Sequence, residues 1–117
     1  ETVKAGVSPG QYILHVSDYY NQHGQVAWLK SQGYSDASIG FHAGIRDTSE
    51  LLAVSPKDVR KSGLRQTSQD QGATGAYWKA SPDIGETMLN LKIEAAIAQI
   101  DAFNAQKLSA SSDLRNP

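Results

Sequence analysis

Gln11-Tyr-Ile-Leu-His-Val16 is the stretch on which the fold class turns. It is a short apolar run rich in residues that favour extended backbone, the mark of a buried strand in an α/β sheet. The run ends at Ser17-Asp18-Tyr19-Tyr20. In open α/β sheets ligands lie beyond the carboxyl ends of the strands, so Asp18 and Tyr19 are candidates for lining a cleft. Asp18 also suits the N-cap of a following helix. His15, inside the run, reads as a packed or sheet-face histidine rather than a ligand.

On the C-terminal side, Asn21 to Gln32 carries Val26, Ala27, Trp28 and Leu29 among polar residues and stops at Gly33, which predicts a helix with a glycine stop. His23 falls in its first turn and is assigned no role. Tyr34 to Ser38 is a polar connector leading into Ile39-Gly-Phe-His-Ala-Gly-Ile-Arg-Asp-Thr-Ser-Glu-Leu-Leu-Ala-Val54. Within it, Asp47 followed by Glu50 is a capping-box spacing, and Leu51 to Val54 supply the helix it opens. His42 therefore sits on the loop before a helix N-terminus. Gly40 and Gly44 on either side permit backbone conformations closed to residues with a Cβ. A solvent-facing loop histidine beside an ordinary cap fits the same spacing. The helix ends at Ser55-Pro56, because a residue before proline is pushed out of the helical region.

Residues 61 to 82 are the least regular part, and the polar tip Gln66-Thr-Ser-Gln-Asp-Gln-Gly-Ala-Thr-Gly75 suits either a binding loop or disorder. Tyr77 and Trp78, directly after the glycines, favour order. From Pro82 to about Gln106 a helix packed on the sheet is predicted, with Ile84, Met88, Leu91, Ala95, Ala98 and Phe103, together with Ile93, Ile97 and Ile100, making a broad apolar face and Ser81-Pro82 as its start. Residues 1 to 10, with Ser8-Pro9-Gly10, read as a lead-in, and 108 to 117 as a polar, frayed tail.

Two blocks carry a resemblance. His42-Ala-Gly with Asp47-Thr-Ser, then Leu-Ala-Val-x-Pro and Val59-Arg60, resembles the His-Ala-Gly…(Glu/Asp)-Thr-Ser segment of the creatininase family. Gly72-Ala-Thr-Gly75, Lys79-Ala-Ser81 and Gly85-Glu86 resemble that family's glycine-rich loop and closing helix. Asp18-Tyr19-Tyr20 and Ala27-Trp28-Leu29 are similar to the strand end and helix ahead of the histidine. The resemblance spans about residues 12 to 103 and covers the C-terminal half of the family's fold. It implies a three-layer α/β sandwich with a mainly parallel sheet, incomplete in this chain, and a metal-dependent amidohydrolase that opens a cyclic amide or related C–N bond. By resemblance His42 is a catalytic residue and Asp47 an orienting carboxylate. The divalent metal, zinc or manganese, would be held mainly by residues of the N-terminal half. The position before the histidine, acidic in many family members, is Phe41. The substrate-binding candidates are Asp18, Tyr19, Gly44 and Trp78.

The composition narrows the partners. Of 117 residues, 11 are basic and 12 acidic, with no clustered run of either sign, which argues against a nucleic-acid surface. No stretch approaches the ~18 consecutive apolar residues of a membrane span, and no signal-peptide pattern opens the chain, so a soluble cytoplasmic or periplasmic location is expected. The absence of cysteine excludes disulfide and thiolate chemistry. One strand with three helices cannot make a sheet, because a parallel strand needs neighbours and helices on both faces. The missing strands are therefore expected from an N-terminal half or companion chain, in a homo-oligomer acting on a small molecule. The start at Glu1, without methionine, suggests a processed piece. A self-contained metal site from His15, Asp18, His42 and Asp47 matches the residue types but no local ligand motif. The rival reading is a non-catalytic assembly subunit whose His42 loop mediates contacts.

Overall fold

A computed structural model describes residues 8–66 and 72–115, with side chains described as far as residue 109. Among the described residues there is no β-strand. The chain forms α1 (Asp18–Asn21), α2 (Gln25–Ser31), α3 (Asp36–Ile39), α4 (Ile45–Val54) and α5 (Pro82–Arg115), with single 3₁₀ turns at Pro56–Asp58, Lys61–Gly63 and Tyr77–Lys79. The expected α/β sandwich is thus overturned: the architecture is all-helical. Residues 1–7 of the expected lead-in and 67–71 of the loop tip lie outside the described residues.

The reason lies in Gln11 to Val16. A strand forms only where another backbone accepts its ladder of hydrogen bonds, and none is offered among the described residues. Instead this segment runs irregularly along α5. The Gln99 side chain takes over part of the pairing: its Oε1 accepts the Asp18 N–H at 2.9 Å, and its Nε2 donates to the His15 carbonyl at 3.3 Å. Further along, Tyr12 meets Phe103 edge-on at 6.4 Å, and the Lys107 ammonium lies 4.7 Å from the Tyr12 ring. Tyr12 and Ile13 are 56% and 44% exposed, far from the burial a central strand needs.

The helix expected over 21 to 32 is divided. Gly24, at φ 75°, adopts a left-handed conformation that no α-helix continues through, so α1 and α2 are separate. Between them His23 Nδ1 accepts the Gln25 N–H at 3.2 Å and serves one of the orphan donors at the start of α2. α4 opens at Ile45, ahead of the Asp47 start that the capping-box spacing suggested.

α5 begins as the sequence indicates. Ser81 Oγ accepts the Ile84 N–H at 3.1 Å, and Pro82, which lacks an N–H, fills the first helical position. The helix continues for 34 residues to Arg115, about 51 Å at 1.5 Å per residue. It outruns the rest of the chain, and the radius of gyration is 19.5 Å against the ~13 Å of a compact chain of this length. No helix among the described residues is long and apolar enough to cross a membrane.

The core gathers Leu29, Ile39, Ile45, Ala76 and Met88 where α2, α3, α4 and the first turns of α5 meet, with Trp28, Trp78 and Leu91 packed against them. α4 and α5 cross at Gly85, whose missing side chain lets its backbone sit against the Ser49 carbonyl. Ser49 is fully buried, and its Oγ accepts the Ser81 N–H at 3.1 Å. Beyond the core, Ile93, Ile97 and Ile100 of α5 face solvent instead of completing the expected apolar face, because the core lies against the first turns of the helix.

Candidate functional site

α3 is capped by Ser35, whose Oγ accepts the Ser38 N–H at 3.2 Å, and ends at Gly40 with φ 67°. The next four residues, 41–44, are a bent loop that delivers the chain to α4. One side chain holds this loop from outside. Thr74 Oγ1 accepts the Phe41 N–H at 2.7 Å and the His42 N–H at 2.9 Å, and the Thr74 N–H donates to the His42 carbonyl at 2.8 Å. The Ala76 N–H completes the join to the Ser38 carbonyl at 2.6 Å. Two loops 32 residues apart are thereby zipped together through backbone groups.

Glycines make so close an approach feasible. A Cβ on Gly44 would lie 2.6 Å from both the Ile39 and Thr74 carbonyl oxygens, and one on Gly75 would lie 2.6 Å from the Ser38 carbonyl. Gly44 is therefore needed for space rather than for a special φ, since its φ is −85°. The unusual backbone falls on Ala43, the one non-glycine residue at positive φ, 50°, among the described residues. Its N–H donates to Asp47 Oδ2 at 3.0 Å, and its carbonyl accepts the Thr48 hydroxyl at 3.0 Å. Left-handed alanine costs roughly 1–2 kcal/mol, so these two bonds offset local strain.

His42 itself is exposed, and its imidazole makes no hydrogen bond among the described residues. Asp47 lies in the first turn of α4 and reaches back to the loop, while Glu50 turns inward to Gln25 and Lys92. Asp47 of the capping pair thus ties the backbone of the loop to α4, and Glu50 serves the interior. Phe41, beside the histidine, is 82% exposed.

The other candidates divide into two groups. Gly44, Asp47 and His42 come together at the start of α4, whereas Trp78 packs against the core, edge-on to Tyr77 at 5.2 Å. Tyr77 and Asp47 line a common pocket of about 620 Å³. Asp18 and Tyr19 belong elsewhere: they sit against α5, Asp18 through Gln99 and Tyr19 with its ring 5.3 Å from the Lys92 ammonium. No three His, Asp or Glu side chains are grouped to hold a metal ion among the described residues, so His15, Asp18, His42 and Asp47 do not form a cage. The chain's own described residues do not supply a fit for zinc or manganese.

Sequence reasoning missed Thr74, although the Gly72-x-x-Gly75 bracket marks its loop for close backbone contact. It also missed Gln25, which is buried and donates to Glu50 Oε1 at 2.6 Å and the Met88 carbonyl at 3.0 Å. Burial, then the Lys92 ammonium and Arg46, push the His23 pKa below 6.5, with the Tyr20 carbonyl and Glu50 opposing.

Compared with known proteins, the chain matches no family model, no curated protein and no solved structure.

Proposed function

We propose that this chain supplies the histidine-bearing part of a metal-dependent amidohydrolase of creatininase type, acting on a cyclic amide or related C–N bond when combined with an N-terminal half or companion chain. The reading rests on the His42 and Thr74 segments and not on a sheet. The observation that carries it is the loop itself: the two blocks that bear the resemblance meet, Thr74 clamps the backbone of His42, and strain is stored at Ala43. Strained, over-determined backbone of this kind clusters where a side chain must be presented to a ligand.

In this reading His42 is the general acid. Water adds to the amide carbonyl carbon, and as the C–N bond breaks the His42 imidazole donates a proton to the departing nitrogen, while Asp47 and Thr74 fix the loop from which it projects. In the same reading the ligands for zinc or manganese belong to the companion part.

Phe41 and the solvent-facing isoleucines of α5 favour a second reading, an assembly subunit whose His42 loop makes contacts rather than chemistry. His42→Ala in the complete assembly separates the two. The amidohydrolase reading expects turnover of a cyclic amide to fall by roughly 10²–10⁴-fold with bound metal retained. Turnover unchanged within a few-fold leaves the assembly reading, and loss of metal would make His42 a ligand instead of the acid.

A further inference from the structure

The pocket beside the His42 loop carries two positive charges. Arg60 and Arg65 line it, and their guanidinium groups make no hydrogen bond or ion pair among the described residues. The two carboxylates on the same wall are already engaged: Asp47 accepts the Ala43 N–H, and Asp58 accepts the Ser55 hydroxyl at 2.5 Å. No described group therefore competes for the arginines. Tyr77 contributes a buried ring, and Leu51 and Leu64 add apolar wall. At about 620 Å³ the pocket lies within the roughly 300–1,000 Å³ range of small-molecule sites, which are mainly apolar with a few polar groups that fix orientation.

We infer that this pocket binds a small amide carrying a carboxylate, with Arg60 and Arg65 holding the carboxylate and the apolar body of the ligand against Tyr77. Planar guanidinium groups match a carboxylate in charge and in geometry. Asp47 and Asp58 repel a second anion, so the charged end turns toward the arginines. The uncharged amide end, with its N–H, is left for the Asp47 side, next to the loop that presents His42. That the ligand is an amide and a substrate rests on the hydrolase reading; the capture of its carboxylate rests on the pocket alone.

The test uses hippurate and its neutral analogue hippuramide, which share ring and amide and differ in the carboxylate. Ligand-observed saturation-transfer NMR on the full chain measures both, whatever its association state. Hippurate is expected to bind saturably and at least about tenfold more tightly than hippuramide, and Arg60→Gln/Arg65→Gln should abolish that preference. Both substitutions are on exposed residues, and the comparison of the two probes on the unaltered chain stands without them. Equal binding of the two probes, or an unchanged preference in the double variant, overturns the inference. Displacement of hippurate by an equal concentration of inorganic phosphate overturns the carboxylate-amide class. Hippurate selectivity alongside unchanged turnover in His42→Ala would sink the hydrolase reading and leave the pocket standing. Loss of turnover in His42→Ala without selectivity would do the reverse.

Discussion

The Ala43 N–H donates to Asp47 Oδ2 at 3.0 Å, and this bond ties a left-handed alanine to the first turn of the helix that follows it. Asp47 thereby does two things: it satisfies a backbone donor outside the helix and places negative charge near the positive end of α4. Asp47→Ala should destabilise the chain by about 1 kcal/mol and speed exchange of the Ala43 amide. Asp47→Asn, which keeps an acceptor but loses the charge, should cost about half as much. Thermal unfolding together with amide exchange at Ala43 measures both; equal losses in the two variants would assign the effect to charge alone.

Gly85 is the point where α5 rests on the backbone of α4, against the Ser49 carbonyl. Gly85→Ala gains helix propensity worth about 1 kcal/mol but pushes the helices apart, and overpacking against rigid backbone costs about 3 kcal/mol or more. The net outcome is a loss of at least about 2 kcal/mol in denaturant unfolding. A stabilised variant would show that the helices separate there without penalty.

Lys92 and Glu50 form an ion pair at 2.9 Å between α5 and α4, with side chains only 15% and 16% exposed. Glu50 also accepts from Gln25, so removing the lysine strands a shielded carboxylate. Lys92→Met should cost roughly 3 kcal/mol, the lower end for buried pairs because some solvent reaches both groups. The double variant Lys92→Met/Glu50→Leu should recover most of that loss, and a double-mutant cycle measures the recovery.

His23 makes stability depend on pH. Its folded pKa lies below 6.5, chiefly through burial and then through Lys92, so the unfolded chain binds the proton more readily. Stability contributed by the neutral imidazole is present above 6.5 and is lost as pH falls from there through the folded pKa. Its Nδ1 must also stay unprotonated to accept the Gln25 N–H. The melting temperature should therefore drop from pH 7.5 to 5.5, and drop less in His23→Asn, which keeps an acceptor without titrating. Parallel pH profiles for the two proteins would contradict this.

Much of the helical content was legible in the sequence. The start of α5 follows from Ser81-Pro82, the end of α4 from Ser55-Pro56 and the end of α2 from Gly33, because capping and proline effects are local and need nothing beyond a few neighbouring residues. The placement of His42 on a loop ahead of α4 was legible for the same reason. Gln11 to Val16 was not. Its residues favour extended backbone, but whether such a run becomes a strand depends on a partner that a local pattern cannot name, and here the Gln99 side chain supplies part of the pairing instead.

By itself, then, the sequence determined where α5 begins, where α2 and α4 stop, and that His42 lies on a loop ahead of α4. Tertiary structure alone decided that Thr74 clamps that loop, that Glu50 turns inward to Lys92 rather than capping α4, and that Arg60 and Arg65 share a pocket with Asp47. Capping and helix-breaking signals act over a few residues of chain, whereas these contacts form only after segments distant in sequence have packed, with Gly44, Gly75 and Gly85 leaving backbones room to meet.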